Sequence, residues 1–153
     1  MKKLLFVATV MLQMIAATAF AANSDDILGI WNNGEKDAKI EIARCGDKYC
    51  GTIIWLKIPD YPADSKEGVP GTPKRDHRNP DEARKSVPVL GLQIAHGFTY
   101  AGENIWKEGK IYDPKSGKTY SGKMTLEVPD QLSVRGFIGI SLIGRTTTWT
   151  RVK

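Results

Sequence analysis

The most constraining feature of this chain is its last apolar ribbon, Arg135-Gly-Phe-Ile-Gly-Ile-Ser-Leu-Ile-Gly-Arg-Thr-Thr-Thr-Trp-Thr-Arg-Val152. It is rich in β-branched and aromatic residues and has no proline, which makes it a strand former. An open sheet would leave such a ribbon as an aggregation-prone edge. Gly29-Ile30-Trp31 is its expected partner. Pairing of these two ends would close an antiparallel sheet into a barrel.

The stretch between them divides into hairpins. Leu28 to Asn32 is a short strand, and Asn23-Ser-Asp-Asp-Ile before it can form one capped helical turn. Ala38 to Arg44 alternates Ile40 and Ile42 with Lys39 and Glu41, the period of a strand with one wet face. Gly51 to Lys57 is apolar on both sides and is expected to be covered on its outer face as well. Gly91 to Ala95, with Phe98-Thr-Tyr continuing it, Ile105 to Tyr112, Lys118 to Glu127, Gln131 to Ile138 and Ile143 to Val152 complete eight strands. Asp113-Pro-Lys-Ser-Gly117 is a turn, with proline second and glycine where a positive φ is wanted. Eight strands joined mostly by tight turns, without βαβ alternation, point to an all-β, eight-stranded antiparallel up-and-down barrel. Such a barrel is just wide enough for packed side chains or one small ligand.

The exception to tight turns follows the third strand. Residues 59–88 hold six of the eight prolines and form a long loop with one helical signal. In Asn79-Pro-Asp-Glu82, Asn79 can cap, Pro80 suits the first helical position and Glu82 can complete the capping box, predicting a short helix over about 80–86. Loops of this length usually cover a site or move. Asp76, Asn79, Asp81 and Arg84 in it are candidates for a lid at the barrel mouth, although capping and ion pairing account for them equally well.

Residues 1–21 are expected to be a cleaved signal peptide: Lys2 and Lys3 precede an apolar run, and Ala19-Phe20-Ala21 offers a cleavage site. Residues 22–153 then form a single domain. Loss of the two leader lysines leaves 20 basic against 17 acidic side chains, a net +3. That mild balance implies solubility, not a nucleic-acid partner, and no later segment is apolar enough to span a membrane. In an exported chain, Cys45 and Cys50 are predicted to form a disulfide across a hairpin with a four-residue loop.

Gly29-x-Trp31 together with Trp149-x-Arg151 resembles the lipocalin and calycin pattern, in which an arginine from the chain end packs across the tryptophan at the barrel base. A longer set of motifs is more specific. It comprises Arg44-Cys-Gly-Asp-Lys-Tyr-Cys-Gly-Thr-Ile-Ile-Trp-Leu56, Asn79-Pro-Asp81, Leu90-Gly-Leu-Gln-Ile94, Gly109-Lys-Ile-Tyr-Asp-Pro114, Gly117-Lys-Thr-Tyr120, and Arg135-Gly-Phe-Ile-Gly139 through to Val152. These resemble the exported bacterial family catalogued as domain of unknown function 2147. The resemblance implies a lipocalin-like barrel in a Gram-negative periplasm and brings no ligand or catalytic residue. The excursion after the third strand departs from true lipocalins, which place theirs after the first.

Catalytic signals are weak. His77 and His96 stand at no metal-ligand spacing and are expected at the surface. Ser141 misses the Gly-x-Ser-x-Gly spacing and lacks a following helix. Tyr112 and Tyr120 are expected to pair across their hairpin. Trp55, Trp106, Met124, Leu126 and Phe137 are candidates to line a cavity, and would equally serve to fill one. The expected function is a non-enzymatic periplasmic carrier or sensor of a small, largely apolar ligand, without cofactor or metal. The alternative is a protein-interaction or envelope-maintenance module with a filled barrel and an envelope protein as partner.

Overall fold

The computed structural model describes residues 21–153; residues 1–20 of the expected signal peptide lie outside them. Eight strands run in sequence: β1 Gly29–Asn32, β2 Ala38–Cys45, β3 Lys48–Leu56, β4 Gln93–Tyr100, β5 Ile105–Asp113, β6 Lys118–Val128, β7 Gln131–Phe137 and β8 Gly144–Arg151. Each pairs antiparallel with the next, and β1 pairs with β8 through Trp31↔Arg151 and Asn32↔Thr150, closing the barrel.

This topology gives the barrel two unlike ends. The β1–β2, β3–β4, β5–β6 and β7–β8 connections gather at one end, including the 36-residue excursion between Leu56 and Gln93. The opposite end carries the short β2–β3, β4–β5 and β6–β7 turns. Residues 22–28 plug it. Their turn is held by Asp26 N–H to Asn23 O and Leu28 N–H to Asp25 O, and is not a helix. Trp31 Nε1 donates to Ile27 O (2.9 Å), Trp106 Nε1 to Ser24 O (3.2 Å) and Tyr100 OH to Ala22 O (2.7 Å). Each amphipathic ring thus finds a partner for its polar tip. Tyr49 OH and Arg44 Nε both reach Asp25 Oδ1; first the tyrosine and then the arginine hold that carboxyl below the usual range.

The core fills this closed half. Ile27, Trp31, Phe98, Trp106, Met124, Leu126 and Leu132 are essentially inaccessible. Phe98 lies flat against β5 and β6, where a Cβ at Gly109 or Gly122 would come within 2.3 or 2.4 Å of its ring. Only glycine fits at those two inward positions.

The expectations for the outer face of β3 and for the long-loop helix need correction. The outer face of β3 is not covered, for Ile54 is 39% and Trp55 40% exposed. A β-bulge brings Trp55 onto that face: Ile40 opposes Ile53 while Lys39 opposes Trp55, leaving Ile54 as the extra residue. The bulge reverses the alternation beyond it, so Trp55 faces out under the Lys39 ammonium (5.1 Å). The helix expected over 80–86 is only a 3-10 turn, Glu82–Arg84, whose N-cap is Asp81, with Ala83 N–H donating to Asp81 Oδ1 (3.0 Å). Asn79 serves one step earlier, accepting from Asp81 N–H.

The Cys45–Cys50 disulfide is present, with a Cα–Cα distance of 6.0 Å. Its hairpin has a two-residue turn instead of four: Cys45 opposes Lys48 and Cys50 opposes Ala43. Gly46 takes the first turn position at φ +67°, where a side chain would be strained.

Candidate ligand cavity and its mouth

Above the Trp31–Trp106 layer the barrel is hollow. A cavity of about 1050 Å³ opens at the loop-rich end, at the upper limit of ordinary small-molecule sites. Its walls are the inward positions of the mouth-side halves of the strands: Ala38 and Ile40, Ile53 and Leu56, Ile94, Ile111, Val134, and Trp149 as part of the floor. Tyr112, Tyr120 and Phe137 stand higher on the wall, with Val89 of the long loop. Small and aliphatic side chains here leave the space that tryptophan, phenylalanine and methionine occupy below.

Charge is confined to the rim. Glu35 and Asp37 from the β1–β2 turn meet Lys115 from the β5–β6 turn, whose Nζ lies 2.7 Å from Asp37 Oδ2 and also bonds Glu35. Burial works against ionisation of both Asp37 and Lys115. The hydrogen bonds between them outweigh it, lowering the aspartate and raising the lysine. Arg78 donates to Glu67 at 2.6 Å, and this contact holds that carboxyl low. Lys57, Lys74 and Arg145 also border the mouth; Lys74 lies in the field of the Glu67 carboxylate, and Lys57 and Arg145 have no side-chain partner among the described residues.

The long loop is fastened down. It carries two bridges of its own, Asp60↔Pro73 and Arg75↔Pro88. Tyr61 is buried against Gly68 and accepts Arg75 N–H at its hydroxyl. The loop is joined to the barrel by Asp76, only 1% exposed, which accepts Tyr112 OH (2.6 Å) and Asn79 Nδ2 (2.7 Å). The Arg78 carbonyl presses on the β5–β6 turn, where a Cβ at Gly117 would lie 2.0 Å from it.

The structure therefore sorts the sequence candidates. Of the expected lining residues, Phe137 borders the cavity, Trp106, Met124 and Leu126 fill the solid half, and Trp55 is outside. None of Asp76, Asn79, Asp81 and Arg84 borders it: the first two anchor the long loop and the last two are exposed on it. At the base, Arg151 stacks 4.2 Å over Trp31 and donates to the carbonyls of Leu28 (2.7 Å), Pro129 (2.7 Å) and Asp26. Gly29 sits at φ +124°, and a Cβ there would come within 2.9 Å of Arg151 Nη1, which gives the Gly-x-Trp glycine its physical reason. Tyr112 opposes Thr119 and Tyr120 opposes Ile111, so the two tyrosines are not a direct cross-strand pair. His96 is exposed on β4, and His77 stands at the mouth beside Glu67. Sequence reasoning missed Phe98, Tyr61, Ile94 and Ile111. For Phe98 a signal existed in the glycines of the two neighbouring strands.

A closed eight-stranded up-and-down barrel, plugged at one end and hollow at the other, defines the class: this is a lipocalin-like barrel. More narrowly, residues 29–151 match the sequence profile of the family described as an uncharacterized protein conserved in bacteria (DUF2147), and the chain belongs to that family. Its fold is similar to that of a protein from the human pathogen Helicobacter pylori, HP1028, described as belonging to the lipocalin family. The TM-score is 0.68, with 21% identity and 83% of each chain covered. No curated protein matches the chain.

Proposed function

We propose that the protein is an exported, periplasmic carrier or sensor that holds a small, largely apolar ligand in the open half of its barrel and does no chemistry on it. One observation carries this reading: a cavity of about 1050 Å³ walled by aliphatic and aromatic side chains, with its charges gathered at the rim. Burial of a ligand's apolar surface there is favourable at roughly 25 cal/mol per Å². A polar end would be left at the rim, within reach of water and of Lys57, Lys74 and Arg145. The description of the Helicobacter pylori barrel as a lipocalin supports the same reading by analogy of fold. Export rests on the leader-like sequence of residues 1–21, and the Cys45–Cys50 bond suits an oxidising compartment.

The alternative is a protein-interaction or envelope-maintenance module with a filled barrel. The apolar-lined cavity open at the mouth favours the carrier. Native mass spectrometry of protein purified from a periplasm tests the proposal. The expected result is a retained small molecule that leaves on organic extraction. Protein that is ligand-free from every preparation and takes up no apolar probe would overturn it.

A further inference from the structure

The β7–β8 loop presents Ile138, Ile140, Leu142 and Ile143 to solvent at 70, 61, 85 and 71% exposure. Single exposed aliphatics are ordinary, whereas four in six residues mark a surface meant to be covered. The exposure is built into the loop. From β7, the Arg135 guanidinium donates to Ser141 O (2.7 Å), Leu142 O (3.1 Å) and Thr146 Oγ1 (2.7 Å). Ile143 N–H closes a turn on Ile140 O. With its carbonyls satisfied from behind, the loop holds its side chains outward.

Its place in the fold says what should cover it. Ile138 and Ile143 border the cavity mouth, and so does Ile58 of the long loop, itself 56% exposed. Cations flank these residues: Arg145, which follows the β7–β8 aliphatics, and Lys57, which precedes Ile58, have no side-chain partner among the described residues, and Lys74, which also feels the Glu67 carboxylate, is joined through its backbone to Pro59. We propose that this end of the barrel docks on the surface of an anionic phospholipid bilayer, the aliphatic tips entering the acyl boundary and the rim cations meeting lipid phosphates. A second copy of the chain is the less suitable occupant, because apposing two such faces would bring unpaired cations together. Docking would also set the cavity mouth against lipid, a consequence that depends on the carrier reading, although the docking itself does not.

Co-sedimentation with vesicles tests this. The probes are mixed phosphatidylethanolamine and phosphatidylglycerol on one hand, and phosphatidylcholine alone on the other. The protein should pellet with the anionic vesicles at least about tenfold more strongly than with phosphatidylcholine, and less at high salt. The double variant Ile140→Asp/Leu142→Asp should lose at least about tenfold in vesicle affinity. Neither residue borders the cavity, so uptake of an apolar fluorescent probe in solution should be unchanged, which separates failure of docking from failure of the carrier reading. Three outcomes would overturn docking: no binding to anionic vesicles, equal binding to both lipids, or equal binding by wild type and variant. A concentration-dependent dimer that the variant abolishes, without vesicle binding, would assign the face to self-association instead.

Discussion

The Arg151 guanidinium lies 4.2 Å over Trp31 and reaches three carbonyls of the closed end. Lysine there keeps the charge and loses the planar fork. Arg151→Lys should lower unfolding free energy by about 2 kcal/mol, measured by urea titration. Tyr112 makes a second residue-scale prediction. Burial, and then the hydrogen bond its hydroxyl donates to the Asp76 carboxylate, raise its phenol pKa well above the ordinary range. A pKa raised on folding stabilises below the unfolded value and is lost above it. Tyr112→Phe should therefore destabilise by about 1–2 kcal/mol near neutral pH. The gap to wild type should narrow as pH rises past about 10, where the unfolded phenol ionises. A gap that widened with pH would contradict the Tyr112–Asp76 bond.

Among the elements, the β2–β3 hairpin and the long loop carry the tests. The Cys45–Cys50 ring is short, so its reduction should lower stability by only about 2 kcal/mol while the fold survives; denaturant titration with and without reductant measures this. In the long loop, Tyr61 N–H bonds Thr72 O and Gly71 N–H bonds Tyr61 O, bringing the ends of a detour together. Replacing residues 62–71 with a short glycine linker should leave the barrel's circular dichroism unchanged and speed probe release in stopped-flow. Loss of the fold would show that the detour is part of the core. Most strands were legible from alternation, and the Asp113–Gly117 turn from its proline and glycine. Trp55 was not, because one extra residue at Ile54 reverses the face of everything beyond it, and periodicity carries no sign of a bulge. The lid candidates failed differently. Asp76 and Asn79 read as surface polar residues of a loop, and only the fold brings Tyr112 over them.

For the whole molecule, the decisive property is the division of one barrel into a solid and a hollow half. Trp106, Met124 and Leu126 face inward just as Ile40, Ile111 and Val134 do, so alternation alone treats them alike. What separates them is height along the barrel axis, which depends on strand register and on the plug of residues 22–28. The wall position Gly136 allows a direct test. A Cβ there makes only an ordinary 3.4 Å contact with Tyr120, and the position borders the cavity. The central measurement is fluorescence titration of delipidated protein with a dansyl-labelled acyl probe, comparing wild type with Gly136→Leu at matched thermal stability. The account predicts saturable one-site binding to wild type and at least about tenfold weaker binding to the variant. No saturable binding to wild type, or equal binding by the two, would contradict it.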